Sequence, residues 1–212
     1  SGVGFTRDPT TGENTLYLDF LWNAQGEDVV SGRHAVQDGS AIKLRIPALD
    51  RQLRQVCEQL EHLFCDTQDF EFTIQVGRLY LLQSRDAKRT PWAALRVACD
   101  VVDEGVIDWW TALERLAEFD LDSLQVTRLA NEHERPPLSV GVAACPGVAI
   151  GRIALDPQTA VAMAREGGRP ILVRHDISTD DVAGLAASEG ILTMLGGRTS
   201  HAAVVARQMN KV

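Results

Sequence analysis

The chain has 212 residues, 45% of them hydrophobic and 24% charged, which is enough apolar material for one large folded domain or two small ones and too much for a disordered chain. A formal net charge of -8 makes nucleic acid or an anionic membrane surface a poor main partner, because both repel an acidic surface. No apolar run nears the roughly 20 residues that span a bilayer, the start lacks a basic-then-apolar signal pattern, and Cys57, Cys65, Cys99 and Cys145 form neither a CxxC pair nor a cluster at zinc spacing. A cytoplasmic protein that binds neither nucleic acid nor membrane is expected, and Ser rather than Met at position 1 fits a segment of a longer parent and equally a processed start.

Up to residue 85, turn clusters such as Asp8-Pro9-Thr10-Thr11-Gly12 separate short β-prone runs, with strands expected at 16–21 and 70–74. Residues 50–64 place Leu53, Val56, Leu60 and Leu63 or Phe64 at helical spacing, which predicts an amphipathic helix lying on those strands. The run after it reads as a hairpin turning at Val76-Gly77, whose strands bring Glu71, Gln83 and Arg85 near one another. From 91 to 129 the texture is helical, with Gly105 as a stop between two helices. Residues 131–137 are polar, end in Pro136-Pro137 and suit a stiff linker. Beyond 138 the pattern is α/β: strands at 148–155, 170–174 and 190–194, helices at 159–165 and 179–187, then a glycine-rich loop and a final helix.

The chemistry concentrates in residues 190–209, which read as a strand, a Gly196-Gly197 turn, a Thr199-Ser200 cap and a helix with His201 in or beside its first turn. A helix start exposes unpaired N–H groups and the positive end of the macrodipole, so it favours anions. The same potential disfavours imidazolium, and only the neutral ring has a lone pair with which to attack phosphorus. Gly196 and Gly197 let the backbone approach a phosphate without a Cβ in the way, while Thr199 and Ser200 can cap the helix or bond phosphoryl oxygens. An arbitrary histidine at a helix start is more often a packed or solvated ring; the wording of the whole run is what singles out His201.

That wording, GGRTSHAAVVAR, closely resembles the phosphohistidine signature of the phosphoenolpyruvate-utilising enzymes, and is most similar to the dikinase branch. The resemblance implies that His201 carries a phosphoryl group, that Arg207 supports phosphate binding together with Gly196, Gly197, Thr199 and Ser200, and that Thr199 sits where some dikinases are regulated by phosphorylation. The segments SGVGFTRDPTTGE, NAQGEDVVSG and DFEFTIQVGRLYLLQSRDAKRT resemble the later part of the same family's ATP-grasp nucleotide-binding domain. They imply Glu71 and Gln83 as Mg²⁺ and nucleotide ligands, Arg85 as a phosphate contact, and Glu27 and Asp28 beside the nucleotide. The implied fold is a multidomain α+β and α/β arrangement: the C-terminal part of an ATP-grasp domain at 1–90, a helical linker or hinge at 91–137, and a truncated, swivelling β/β/α phosphohistidine domain at 138–212.

The implied reaction of the complete enzyme converts ATP, phosphate and pyruvate to AMP, pyrophosphate and phosphoenolpyruvate through phosphohistidine, with Mg²⁺ as cofactor, in a homo-oligomer, a dimer. Two alternatives stand beside it. A synthase would use water in place of phosphate, and Arg198, where dikinases usually carry Met, is shared with the synthase pattern; Asn210 also departs from a common glycine. By itself the chain could serve as a non-catalytic carrier or interaction module, because the phosphate-gripping lysine and glycine-rich loop of the ATP-grasp domain and the pyruvate-binding barrel have no counterpart in it.

Overall fold

Alternation along the first strands decides what each side of the molecule is made of. A computed structural model describes residues 1–30, 36–119, 124, 127, 129–130 and 136–212, so most of the expected linker at 131–137 lies outside the described residues. Strands β1 (Gly2–Phe5), β2 (Tyr17–Phe20), β3 (Gln37–Asp38), β4 (Gln68–Gln75) and β5 (Arg78–Asp86) form an antiparallel sheet in the order β3-β2-β1-β4-β5. Directly opposed residues share a face. Gly2 and Gly4 stand opposite Phe20, Phe72, Leu18 and Phe70, whereas Val3 stands opposite Asp19 and Glu71, and Phe5 opposite Tyr17 and Asp69.

The first set forms the core face. Leu18, Phe20, Phe70 and Phe72 pack with Ile42 of α2 (Gly39–Arg45) and with Leu49, Leu53, Cys57 and Leu60 of α3 (Pro47–Phe64). The glycines make room for this layer: a Cβ on Gly4 would lie 2.5 Å from Leu18 Cδ2. The expected helix therefore forms and lies on the sheet, with Pro47 in its first turn. Leu63 is a correction, being 74% exposed, because it falls roughly 80° off the Leu53–Cys57–Leu60 stripe. Phe64 is exposed too, in the last turn before Cys65 takes a left-handed conformation and ends the helix.

Val76 and Gly77 join β4 to β5 with φ of 50° and 74°, the pair of positive values that a two-residue type I′ hairpin needs. The helices expected after 91 are α4 (Pro91–Asp103) and α5 (Trp109–Leu116), preceded in the chain by the short α1 (Gly26–Val30). Gly105, at φ 74°, separates α4 from α5. Thr90 caps α4 by accepting from Ala93 N, and its hydroxyl donates to Thr10 O. Arg7, whose side chain is almost wholly buried, bonds Glu61 at 2.8 Å and Glu104 at 2.6 Å. Arg115 donates to Cys65 O at 2.6 Å. Through these contacts α4 and α5 are fastened to the first sheet.

The second sheet is parallel, with β6 (Arg152–Ala154), β7 (Pro170–Arg174) and β8 (Gly190–Thr193) in sequential order. Helices α6 (Pro157–Arg165), α7 (Val182–Ala187) and α8 (His201–Gln208) accompany them, and Ala160, Leu185, Val205 and Met209 pack with Ala154, Leu172 and Ile191. Right-handed crossovers between neighbouring parallel strands put the helices on one side. The first of these strands is shorter than the expected 148–155, because its ladder partner β7 begins only at Pro170, opposite Arg152. The helix expected from 179 likewise starts as a 3-10 turn, Thr179–Asp181, before α7. Among the described residues no helix is long and apolar enough to cross a membrane.

Candidate functional site

Ser200 is the N-cap of α8: its backbone is extended at φ -62°, ψ 153°, and its hydroxyl accepts from Ala203 N, which leaves His201 as the first helical residue. The imidazole is exposed. The loop before it is seated on the first sheet, on the face opposite the apolar core. Thr199 is buried, and both its N–H and its hydroxyl donate to Asp19 Oδ2, at 3.0 and 2.6 Å. Tyr17 donates its phenolic hydrogen to Asp19 Oδ1 at 3.0 Å. Burial, reinforced by the Asp19 charge, holds the Tyr17 phenol well above its ordinary pKa.

Gly197 belongs to this seat, since a Cβ there would lie 2.5 Å from Asp19 Oδ2. The donors and space expected to receive phosphoryl oxygens thus receive an anion, the Asp19 carboxylate. Gly196 turns the chain at φ 108°, a region that favours glycine.

Arg207 lies on α8 and is only 2% exposed. Its guanidinium stands over the Phe5 ring at 5.5 Å, and its Nε, Nη1 and Nη2 have no hydrogen-bond partner among the described residues. Burial pulls its pKa below the ordinary guanidinium value, with Cys145, Tyr17 and Asp8 partly offsetting it. A buried cation with idle donors is costly unless an anion completes it, which suits a phosphate-supporting residue. Burial in the same region pushes the Cys145 thiol up to about 11.

Of the expected nucleotide residues, Glu71, Gln83 and Arg85 lie on this same face. Glu71 and Gln83 are opposed across β4 and β5, next to a register irregularity between Glu71 and Phe72, and Asp69 is opposed to Arg85. Arg85 Nε bonds both oxygens of Asp69, at 2.7 and 2.9 Å, so its first partner is a carboxylate that sequence reasoning overlooked. Burial raises the Asp69 pKa and Arg85 opposes that shift.

Glu71 Oε2 is 3.8 Å from where a Cβ on Gly26 would stand, which sets it beside the start of α1. In α1, Asp28 Oδ2 accepts from Gln25 N at 2.9 Å; the side chain of Glu27 lies outside the described residues. One carboxylate and one amide oxygen are hard donors of the kind Mg²⁺ takes when phosphates and water complete its shell. Among the described residues no group of three or more His, Cys, Asp or Glu could hold a metal ion by itself.

Residues 166–212, from the end of α6 through the whole His201 loop and α8, match the family model of the PEP-utilising enzyme mobile domain. The match to curated relatives runs further. The chloroplastic pyruvate, phosphate dikinase of Flaveria pringlei is 43% identical over 213 residues, covering 100% of this chain and 22% of the relative. The chain is related to the pyruvate, phosphate dikinases. Those of Rhizobium meliloti, 42% identical over 221 residues, and Clostridium symbiosum, 44% over 211, each cover 99% of the chain and 25% and 24% of the relative. The chain thus spans about a quarter of the length of the dikinases it matches, and both sheets fall inside the matched segment.

Asp8, Tyr17, Asp19 and Asp69 were absent from the expected site. Asp19 carried one signal: it is an acid inside the apolar run Leu16-Tyr17-Leu18-Asp19-Phe20, which strand alternation turns away from the core. Nothing local shows that Thr199 meets it.

Proposed function

We propose that this chain is the part of a pyruvate, phosphate dikinase in which His201 takes a phosphoryl group from a nucleotide site and carries it to an acceptor. The observation that supports this most directly is the exposed His201 at the start of α8, its loop resting on the face that bears Glu71, Gln83 and Arg85. In this reading residues 1–90 are the C-terminal part of an ATP-grasp domain, 91–137 contain the hinge, and 138–212 are the swivelling carrier.

An unprotonated ring nitrogen of His201 attacks the β-phosphorus of ATP: the N–P bond forms as the P–O bond to AMP breaks, and inorganic phosphate then takes the terminal phosphoryl as pyrophosphate, leaving one phosphoryl on the ring. Glu71 and Gln83 hold Mg²⁺, which when bound neutralises polyphosphate charge. Arg85 stabilises charge on the transferring group, and exchanges some of its hold on Asp69 to do so. After transfer, Arg207 supplies donors to the phosphoryl oxygens, and the carrier delivers the group to pyruvate, yielding phosphoenolpyruvate. Thr199 is buried against Asp19, so its modification requires the loop to lift from the sheet.

The test is direct. The full-length protein given ATP and Mg²⁺ acquires an acid-labile phosphate on His201, and His201→Ala acquires none; full activity in His201→Ala refutes the reading. Arg198, shared with the synthase pattern, keeps phosphoenolpyruvate synthase as the second reading. Turnover that needs added inorganic phosphate identifies the dikinase; turnover without it identifies the synthase.

A further inference from the structure

The residue three before His201 has a position of its own. Arg198 Nη1 bonds Asp8 Oδ2 at 2.9 Å, Nε donates to Ala143 O at 2.8 Å, and the guanidinium lies over the Tyr17 ring at 5.1 Å. One side chain therefore holds the turn after β1, strand β2 and the segment leading to β6. The pair is mostly withdrawn from water, with side-chain exposures of 26% for Arg198 and 13% for Asp8.

Asp8 is oriented in advance: its Oδ1 accepts from Thr10 N and Thr11 N at 2.7 and 3.2 Å, which leaves Oδ2 for Arg198. The neighbouring grip is made by the next residue, Thr199, on Asp19, and Asp19 is in turn bonded by the Tyr17 hydroxyl beneath Arg198. The segment caught on the far side is held twice, since Thr10 Oγ1 also donates to Ala144 O at 3.1 Å, and Cys145 after it is buried.

We propose that Arg198 is a positioning residue, an ionic clasp that holds the His201 loop and residues 143–145 against the polar face of the first sheet. A planar guanidinium suits the task because it can serve a carboxylate, a carbonyl and an aromatic face at once, which an ammonium or a thioether cannot. The clasp holds the loop for exchange with the nucleotide side and is released for travel to the acceptor side. That catalytic meaning rests on the phosphoryl-carrier reading; the clasp itself does not.

Two measurements separate the two. On this chain, alkylation of Cys145 by iodoacetamide is followed by peptide mass spectrometry, with Cys57, buried on the core face of α3, as the internal control. Arg198→Met and Asp8→Asn, the latter keeping an oxygen for the Thr10 and Thr11 amides, each speed labelling of Cys145 by about fivefold, the scale of one modest ion pair. Cys57 stays unchanged, the double variant adds nothing to the larger single effect, and Arg198→Lys falls between. Unchanged Cys145 labelling, additive effects, or an equal rise at Cys57 overturns the clasp.

In the full-length protein, Arg198→Met slows phosphorylation of His201 by ATP about fivefold and leaves its phosphorylation by phosphoenolpyruvate unchanged. Equal slowing from both donors, or no slowing, overturns the positioning role. If wild-type His201 accepts phosphate from neither donor, the carrier reading fails while the labelling result still decides the clasp.

Discussion

The two faces of the five-stranded sheet are made by the same strands and do opposite work. Phe70 and Glu71 are adjacent in β4, yet Phe70 is fully buried with Leu18, Leu53 and Phe72 under α2 and α3, while Glu71 faces Gln83 on the other side. On the core face the stabilising term is apolar area removed from water. On the other it is a set of charge-assisted bonds, Arg85 to Asp69, Thr199 to Asp19 and Arg198 to Asp8, each modest. A period of two therefore lets one short strand anchor the fold and present chemistry without compromise between them.

The sharpest way to break this division is a pair of substitutions one residue apart. Phe70→Ala should cost about 3–5 kcal/mol in urea unfolding, through lost transfer energy and the cavity left behind. Glu71→Gln should stay within about 0.5 kcal/mol yet abolish ATP-driven phosphorylation of His201. Comparable stability losses in both variants would dissolve the distinction between the faces.

Gly197→Ala should have a smaller effect, confined to the polar face. Its Cβ would press on Asp19 Oδ2, and overpacking of that kind costs about 1–3 kcal/mol. The expected readout is lost hydrogen-exchange protection at the Thr199 amide with protection at the Phe70 amide retained. Simultaneous loss at both would mean that the loop and the core unfold as one unit.

The smallest expected effect lies outside both faces and calibrates them. Asp156 caps α6: Oδ1 accepts from Thr159 N and Oδ2 from Thr159 Oγ1, both at 2.7 Å, and these bonds hold its pKa below the ordinary carboxylate value. A depressed folded pKa contributes stability that is present above the unfolded value, about 4, and is lost as pH falls through the folded value. Acidification from neutral pH should therefore fray α6, seen as a lower protection factor at the Thr159 amide once the intrinsic pH dependence of exchange is divided out. Asp156→Asn should remove that pH dependence, whereas Asp108, which caps α5 through Thr111 N at 2.8 Å and also has a lowered pKa, should keep its own.

Much of the architecture was legible because it follows local rules. The stripe Leu53, Val56 and Leu60 specified α3 and Val76-Gly77 specified the hairpin, but the turn alone would set Glu71 opposite Leu82; the register shift between Glu71 and Phe72 is what pairs Glu71 with Gln83. Pairing of Asp69 with Arg85 depends on the same shift, since the unshifted register would set Asp69 opposite Ser84. Strand ends were less legible, as in β6, because a strand extends only as far as its neighbour does.

By itself, the sequence determined the start of α8, its cap at Thr199-Ser200 and the glycines before it, since each depends on residues within one or two turns, whereas the exposure of His201 came from the tertiary structure. Only the tertiary structure decided that Thr199 meets Asp19 across 180 positions and Arg198 meets Asp8 across 190. It also decided that Arg207 is buried against Phe5. Contacts between distant segments leave no spacing in the chain, because their geometry arises when two sheets meet and not from the periodicity of either one.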